Sequence, residues 1–167
     1  MSESFVAVLM GSDSDLPVME ASFAILRQLQ IPFEAKVTSA HRTPAATHEY
    51  VLDADARGCA VFIAAAGMAA HLAGAVAANT VKPVIGVPID ASLDGLDALL
   101  STVQMPGGIP VACVAIGRAG AKNAGYLAAQ IMATADSDLA QRLRETRAAD
   151  AAAVQAKDAA LQEKLRD

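Results

Sequence analysis

Short runs of β-forming residues alternate along the chain with longer alanine-rich stretches of helical periodicity, and this alternation restricts the available folds. The predicted strands are Phe5–Met10, Phe33–Thr38, Ala60–Ala65, Pro83–Pro88 and Val111–Ala115. The predicted helices lie near Leu16–Leu29, Pro44–Arg57, Ala70–Ala78, Gly95–Thr102 and Gly120–Ala135. This β-α-β-α order is typical of an α/β fold whose parallel sheet carries helices on both faces. Because the chain is 54% hydrophobic but only 4% aromatic, we expect a core of closely packed aliphatic side chains.

The ends of the predicted helices carry residues that are typical of caps. Asp15 precedes the first helix, and Thr43 precedes the second, which has Pro44 at its first position. Gly58 stands just past the second helix, where a glycine commonly ends a helix. Asp136 precedes the last helix. These residues support the boundaries that the hydrophobic pattern predicts.

The last helix, about Ser137–Leu165, differs from the others because its apolar residues form only a narrow stripe between charged ones. The stripe consists of Leu139, Leu143, Val154, Leu161 and Leu165. One interpretation is a solvated terminal helix, and the other is an arm that packs on a neighbouring subunit. We expect a single domain over residues 1–167, of which about 136–167 form this C-terminal helical arm.

Charge and hydropathy exclude two classes of partner. With 13 basic and 18 acidic residues the formal net charge is -5, and no basic stripe is present to neutralise the phosphates of a nucleic acid. The apolar stretches are too short or too interrupted to span a bilayer, and the chain begins without a basic leader segment. We therefore expect a cytoplasmic protein that binds neither nucleic acid nor membrane. A small anionic ligand is compatible with this charge, because helix N-termini and one or two arginines bind anions locally.

The two cysteines, Cys59 and Cys113, lie in apolar runs, which predicts buried thiols rather than a nucleophile or a disulfide. No Cys-x-x-Cys pair or histidine-rich spacing accompanies them, so no metal site is expected.

Polar residues collect in the loops that follow the predicted strands, which is where ligands bind to open parallel sheets. The first loop, 11–15 (GSDSD), contains a glycine, which permits close approach of the backbone to a ligand. Its serines offer hydroxyl groups at the positive end of the next helix. Ser12 is a candidate for binding phosphate, and Asp15 for accepting hydrogen bonds from ribose hydroxyls. Turn formation together with a helix cap is the alternative explanation of this loop.

The second loop, 39–44 (SAHRTP), places an imidazole beside a permanent positive charge at a helix N-terminus, which favours a bound anion. Arg42 can hold a phosphate through two hydrogen bonds, and Ser39 can add a donor. His41 is the candidate for moving protons, because an imidazole titrates close to neutral pH.

The third loop, 65–72 (AAGMAAHL), consists mostly of small residues that leave backbone N–H groups beside a small apolar space. Such a space can exclude water and hold carbon dioxide or the face of an imidazole. Gly67, Ala69 and Leu72 are the candidate substrate contacts in it. His71 is expected either to orient a carboxylate or to be a satisfied histidine at a helix start.

Two further features have sufficient structural explanations. The segment 104–111 (QMPGGIPV) contains two prolines and two glycines and is predicted to be a loop before the last strand. A lid, or a contribution to a neighbour's site, is the alternative for this segment. His48 falls within a predicted helix, and we expect it on the surface without a chemical role.

Five segments together resemble the N5-carboxyaminoimidazole ribonucleotide mutase family of purine biosynthesis. They are GSDSD (11–15), SAHRTP (39–44), AAHLAG (69–74), LLSTVQMPGGIPV (99–111) and AIGRAGAKNAGYLAAQI (115–131), in the family's order. The resemblance implies a flavodoxin-like three-layer α/β/α sandwich with a central parallel sheet, followed here by the C-terminal helical extension, and a homo-octamer. It also implies conversion of N5-carboxyaminoimidazole ribonucleotide to 4-carboxy-5-aminoimidazole ribonucleotide without ATP, biotin or metal.

Carried over by position, the resemblance implies a role for each polar loop residue. Phosphate and ribose would be bound by Ser12, Asp15 and Arg42, with Ser39 nearby. His41 would be the acid and base, and His71 would sit beside the migrating carboxylate. Three positions differ from the commonest pattern, since Ala65 and Met68 replace frequent glycines and Ala73 replaces a frequent proline.

A sister branch carboxylates aminoimidazole ribonucleotide directly with carbon dioxide, and this is the alternative activity. Its members carry lysine after the loop histidine and Arg-Ser-Asn near the third loop. Here Arg42 and the segment 67–72 (GMAAHL) stand instead, which favours the mutase.

Two interpretations come from other functional classes. A flavodoxin-like module could bind a flavin phosphate in the first loop, but few aromatic residues are available to stack on a flavin and His41 would have no task. A scaffold protein built around the C-terminal helix leaves the polar residues at the strand ends unexplained.

Overall fold

The computed structural model describes residues 4–166, while residues 1–3, where the sequence predicts no leader segment, and Asp167 lie outside the described part. The strands are β1 (Phe5–Met10), β2 (Phe33–Val37), β3 (Cys59–Gly67), β4 (Val84–Ile89) and β5 (Ala112–Cys113). The helices are α1 (Leu16–Gln28), α2 (Pro44–Ala56), α3 (Leu72–Ala77), α4 (Leu96–Val103), α5 (Gly117–Met132) and α6 (Ser137–Lys164). Short 3-10 turns at Asp13–Asp15 and Leu93–Gly95 lead into α1 and α4.

All five strands form one parallel sheet in the order β2-β1-β3-β4-β5. This order and the helices on both faces confirm the predicted flavodoxin-like α/β/α sandwich. In β1, Val6 and Val8 face the core cluster that includes α1 and α5, whereas Ala7 and Leu9 face the cluster that includes α2 and α3. Every residue of β1 is buried, because a central parallel strand is covered on both faces.

The fifth strand is shorter than predicted. Only Ala112 and Cys113 pair with β4, and they form one edge of the sheet. Pro110 lacks a backbone N–H just before the strand, and Gly117, with φ 72°, turns the chain into α5 soon after it. Little extended chain therefore remains to lie along β4.

The position of each cysteine in the sheet explains its burial. Cys59 begins β3 and is buried, as predicted, and burial raises the pKa of its thiol to about 11. Cys113 is only partly buried because it lies on the edge strand, so the prediction of a buried thiol is wrong there. Both thiols are free.

Two of the predicted helix caps are wrong in detail. Asp15 occupies the N-cap position of α1 without a capping hydrogen bond, and its Oδ2 accepts instead from the Ser12 N–H at 3.2 Å. Thr43 also leaves the start of α2 uncapped; its Oγ1 accepts from the Ser39 N–H at 2.9 Å. Both side chains therefore close the loop before the helix. In this way they shape the loops at the carboxyl end of the sheet.

The other two helix ends agree with the prediction. Gly58 follows α2 in a left-handed conformation, with φ 99°. The carboxylate of Asp136 accepts from the N–H groups of Asp138 and Leu139 and caps α6.

The C-terminal helix α6 contacts the rest of the chain only through its first half. Leu139 and Leu143 are its buried residues, and residues 148–166 are exposed. The remaining members of the apolar stripe, Val154, Leu161 and Leu165, lie on the exposed part. None of the helices within residues 4–166 combines the length and the apolar character that a membrane crossing requires.

Candidate active site

A cavity of about 260 Å³ opens at the carboxyl end of the sheet, where the loops after β1, β2 and β3 converge. It is lined by all nine residues that the sequence predicts for the site, namely Ser12, Asp15, Ser39, His41, Arg42, Gly67, Ala69, His71 and Leu72. The strands β1 and β3 are neighbours although β2 lies between them in sequence. The cavity thus occupies the switch point of the strand order, where adjacent connections diverge and leave a crevice.

The first loop is held close to β3. The Gly11 N–H donates to the Ala65 carbonyl at 3.0 Å, which extends the pairing of β1 with β3 beyond Met10. The Ser12 hydroxyl accepts from the N–H and the hydroxyl of Ser14, at 3.2 and 2.8 Å. Ser12 therefore both stabilises the turn and faces the cavity.

Asp15 is a buried carboxyl at the cavity wall, only 6% exposed. Burial raises its pKa above the ordinary value; the hydrogen bond from the Ser12 N–H lowers it, and the nearby charge of Asp13 raises it further. A buried carboxyl with few donors has spare capacity to accept hydrogen bonds from a ligand hydroxyl.

Hydroxyl groups fix the backbone of the second loop. The Ser39 Oγ accepts from the N–H groups of His41 and Arg42, at 3.3 and 3.1 Å. Beneath it, the buried hydroxyls of Thr38 and Thr47 form a hydrogen bond of 2.7 Å. This local network presents the His41 and Arg42 side chains to the cavity from a short, well-anchored loop.

His41 and His71 form a hydrogen-bonded pair across the cavity. The His41 Nε2 and the His71 Nδ1 are 2.8 Å apart, and the rings meet edge to face with 4.9 Å between centroids. One nitrogen must donate and the other accept, so the intact pair carries at most one positive charge. At the start of α3, His71 makes no capping hydrogen bond; its ring is instead bonded to His41.

Arg42 supplies positive charge to the cavity. Its side chain is exposed, and its guanidinium forms no salt bridge within residues 4–166. An arginine without an internal carboxylate partner is available to bind an anionic group of a ligand. No group of three or more His, Cys, Asp or Glu residues in the described chain is placed to hold a metal ion.

The third loop brings the end of β3 close to the loop that follows β4. A Cβ on Gly67 would lie 2.8 Å from the Cβ of Ala91, so only glycine fits there. Met68 has φ 55°, a left-handed conformation that costs a non-glycine residue about 1 kcal/mol. Leu72 is buried and forms an apolar part of the wall, and the cavity thus combines polar groups with small and apolar ones.

Two segments with alternative interpretations lie away from this cavity. His48 is exposed, and its Nδ1 bonds to the Asn79 Oδ1 at 2.6 Å, in agreement with the predicted surface position. In the segment 104–111, Met105 packs near Gly74, whose added Cβ would be 3.3 Å from the Met105 Sδ. No residue of this segment lines the cavity within the described chain.

Six lining residues were not among the nine candidates, namely Gly11, Ser14, Ala40, Ala66, Met68 and Ala91. Five of them belong to the three predicted loops, and Ala91 lies outside these loops. Ser14 supports Ser12, and Ala91 belongs to the loop after β4, which the sequence does not mark with polar residues. The rule that ligands bind beyond strand ends would have identified Ala91, because it closely follows β4.

Comparison with known proteins gives a consistent result. A family profile described as AIR carboxylase matches residues 5–153. A Bacillus subtilis (strain 168) protein named N5-carboxyaminoimidazole ribonucleotide mutase is 54% identical over 146 residues, which cover 87% of this chain and 90% of the relative. A Mycobacterium tuberculosis (strain H37Rv) protein of the same name is 54% identical over 158 residues, or 94% of this chain and 90% of the relative.

The fold agrees with these sequence relationships. The crystal structure of Treponema denticola PurE has a TM-score of 0.87 at 28% sequence identity, covering 95% of this chain and 99% of that chain. The profile match spans every strand of the sheet and all the loops that line the cavity. The chain therefore belongs to the AIR carboxylase family.

Proposed function

We propose that the chain is a mutase that converts N5-carboxyaminoimidazole ribonucleotide to 4-carboxy-5-aminoimidazole ribonucleotide in purine biosynthesis. The observation that carries the proposal is the His41–His71 pair, joined at 2.8 Å in a cavity that Arg42 also lines. The reaction moves protons on a phosphorylated substrate, and an imidazole near an anion-binding cation meets both requirements. The relatives named above carry this activity in their names.

Substrate binding is assigned to the first two loops. Arg42 and Ser12 hold the phosphate, with Ser39 nearby, because they provide the cation and the hydroxyl donors at this end of the sheet. Asp15 accepts hydrogen bonds from the ribose hydroxyls, a task that suits a carboxyl with few internal donors. Anchoring the ribose phosphate keeps the imidazole ring of the substrate in place while the carboxylate moves.

His41 is assigned both proton transfers. The bond between the carboxylate carbon and the exocyclic nitrogen breaks, its electron pair stays on nitrogen, and that nitrogen takes a proton from His41. The carbon dioxide released stays in the cavity. The ring carbon attacks it and forms the new carbon–carbon bond, and the proton of that ring carbon returns to His41. Protons and electrons therefore balance, and no further reactant is needed.

The third loop is assigned the role of holding the transient carbon dioxide. Gly67, Ala69 and Leu72 offer a small apolar surface, and water excluded from it cannot hydrate the gas. His71 sits beside the migrating carboxylate and keeps the His41 ring oriented through the bond between their nitrogens.

The proposal extends to the whole protein. Residues 1–167 form one domain that acts without metal or other cofactor on a small-molecule ribonucleotide. The protein assembles as a homo-octamer in the cytoplasm, with neither nucleic acid nor membrane as partner. The exposed apolar stripe of α6, which includes Val154 and Leu161, supports association between copies.

An isotope experiment tests this function against direct carboxylation. The N-carboxylate of the substrate is labelled with carbon-13, and excess unlabelled bicarbonate is added. We expect the enzyme to accelerate product formation and the label to reach the ring carbon largely undiluted. Product without label would instead favour the carboxylase that uses free carbon dioxide. No acceleration over the uncatalysed reaction would contradict the enzyme assignment itself.

A further inference from the structure

Thr43 lies at the end of the second loop and is hydrogen-bonded to the residue at the start of that loop. Its Oγ1 accepts from the Ser39 N–H at 2.9 Å and donates to the Ser39 carbonyl at 3.1 Å. The Thr43 N–H donates to the same carbonyl at 2.9 Å. Thr43 therefore contacts both backbone polar groups of Ser39 and holds the two ends of the loop together.

Helix capping does not explain the conformation of this side chain. Thr43 is the N-cap residue of α2, where a threonine hydroxyl commonly accepts from an N–H group in the first turn of the helix. The Thr43 side chain makes no such bond. Its hydroxyl is bonded to Ser39 instead, so the side chain stabilises the loop rather than the helix.

The loop that Thr43 closes carries two side chains of the site. The Ser39 Oγ accepts from the N–H groups of His41 and Arg42, at 3.3 and 3.1 Å. A displacement of Ser39 would therefore move the backbone of both residues. Thr43 itself is not among the residues of the described chain that line the cavity. Any effect of its hydroxyl on the reaction must then pass through these neighbours.

The first loop contains the same arrangement of hydrogen bonds. The Asp15 Oδ2 accepts from the Ser12 N–H at 3.2 Å, and the Ser12 Oγ accepts from the Ser14 N–H at 3.2 Å. In each loop, a side chain at the helix start accepts from the N–H of the first serine, and the hydroxyl of that serine accepts from an N–H later in the loop. Asp15 also lines the cavity, whereas Thr43 does not. Loop positioning can therefore be measured apart from substrate contact at Thr43.

We propose that Thr43 is a positioning residue, whose hydroxyl holds Ser39, and through Ser39 the His41 and Arg42 side chains, in the geometry that the reaction requires. This inference rests on the proposed mutase function and adds a residue that acts without contacting the substrate. Loss of the hydroxyl leaves the Ser39 N–H without its acceptor and releases the start of the loop from its end. His41 is then displaced from the reacting atoms, and Arg42 from the phosphate.

The test compares Thr43→Val with Thr43→Ser in the full chain. Valine keeps the shape of threonine and removes the hydroxyl, whereas serine keeps the hydroxyl and removes the methyl group. We expect Thr43→Val to lower kcat at least about tenfold, because a displacement of about 1 Å in a catalytic geometry can lower the rate about 100-fold. KM should rise as well, because Arg42 lies on the same loop. Thr43→Ser should keep kcat and KM close to those of the wild type.

Binding of the product separates positioning from a loss of folded protein. Calorimetry with 4-carboxy-5-aminoimidazole ribonucleotide gives the affinity and the number of sites per chain. Thr43→Val should bind this product more weakly at an unchanged number of sites. Fewer sites with unchanged affinity and unchanged KM would mean that only part of the protein is folded, and this result would overturn the proposal.

Thr80→Val is the matched control. The Thr80 Oγ1 also accepts from a backbone N–H, that of Lys82 at 3.0 Å, and it donates to the Asp55 Oδ2 at 2.7 Å. Thr80 precedes β4, at the opposite end of the sheet from the cavity, so Thr80→Val should leave kcat, KM and product binding unchanged. Unchanged kinetics in Thr43→Val would contradict the inference. Equal losses in Thr43→Val and Thr43→Ser would also contradict it, because they would assign the effect to the methyl group.

The outcome for the wild type separates this inference from the proposed function. If the wild type accelerates product formation, only the Thr43 variants decide the inference. If the wild type forms no product above background, the mutase assignment fails and the inference fails with it.

Discussion

The rings of His41 and His71 are joined by one hydrogen bond, and this single contact determines which nitrogens remain available for chemistry. The His41 Nε2 is engaged with the His71 Nδ1, so a proton transferred at His41 is coupled to the protonation of its neighbour. The pair loses this bond when both rings are cationic, because two N–H donors then face each other.

Replacing His41 tests the assigned proton transfers. We expect His41→Asn to lower turnover by at least about 100-fold, the lower range for removal of a general acid and base. The amide can still hydrogen-bond to His71 but cannot carry the proton, so substrate binding measured by calorimetry should remain detectable. His48→Asn is the control, because His48 is exposed and bonded to Asn79 away from the cavity. Normal turnover in His41→Asn would rule out the role.

Burial of the Asp15 carboxyl lowers the stability of the folded chain at neutral pH. Its pKa is raised mainly by burial, so the unfolded chain releases this proton at a lower pH than the folded chain does. Stability is therefore unaffected below the ordinary carboxyl pKa of about 4, falls as pH rises through the raised folded pKa, and stays lower above it.

The variant Asp15→Asn should remove this pH-dependent loss. We expect a melting temperature above that of the wild type at pH 7, a difference that disappears below about pH 4, and weaker substrate binding. Thermal unfolding across this range measures the first two effects. Asp90→Asn, at an exposed carboxylate after β4, is the control and should show neither. A lower melting temperature at pH 7 would contradict the assigned cost of burying Asp15.

At the level of the elements, close packing of helices determines where glycine is required. The helices α1 and α5 lie against the same face of the sheet, and small residues at their contact let the backbones approach. A Cβ on Gly125 would lie 3.0 Å from the Ile25 Cβ, and one on Gly120 would lie 1.6 Å from the Ala115 carbonyl oxygen. Glycine is required at position 120 because the chain turns sharply from β5 into α5.

Gly120→Ala should therefore be strongly destabilising. The added methyl collides with backbone, which cannot rotate away as a side chain can, and we expect a loss of at least about 2 kcal/mol. Chemical denaturation followed by circular dichroism measures the loss. Gly107→Ala serves as the control, because a Cβ there meets nothing within 4 Å and should change stability by less than about 0.5 kcal/mol. Equal stability of the two variants would be inconsistent with this packing.

At the scale of the whole molecule, α6 is the helix whose second half is exposed. Its buried residues, Leu139 and Leu143, attach the first half to the core, whereas residues 148–166 are exposed and carry three large apolar side chains. A helix with so little contact gains little stability from its own chain. A neighbouring copy would cover the apolar stripe and complete its packing.

Removal of the chain after Arg147 tests this arrangement. We expect the truncated protein to retain the α/β fold, because the core clusters include no residue beyond Leu143, and to form a smaller assembly than the full chain. Light scattering after size-exclusion chromatography measures the mass, and circular dichroism checks the fold. Substitution of Val154 and Leu161 by glutamine should also lower the measured mass of the assembly. An unchanged mass in both would identify α6 as a solvated helix.

Local sequence patterns were sufficient to predict the element order, the fold class and the loops that form the site. Alternation of apolar runs with helical periodicity is local information, and parallel strands bring their carboxyl ends to one edge, so Ser12, His41 and His71 were predictable as neighbours. The limits of β3 were less predictable, since this strand extends to Gly67 through residues of low β-propensity.

Contacts between separate loops could not be predicted in this way, because they depend on how the strands and helices pack together. The bond between His41 and His71 and the approach of Gly67 to Ala91 each join loops that follow different strands. The burial of Asp15 also depends on how the surrounding chain packs. The left-handed backbone of Met68, with φ 55°, was likewise not predictable from its residue type, because this region favours glycine. Such contacts depend on side-chain packing in three dimensions, which no local pattern of residues specifies.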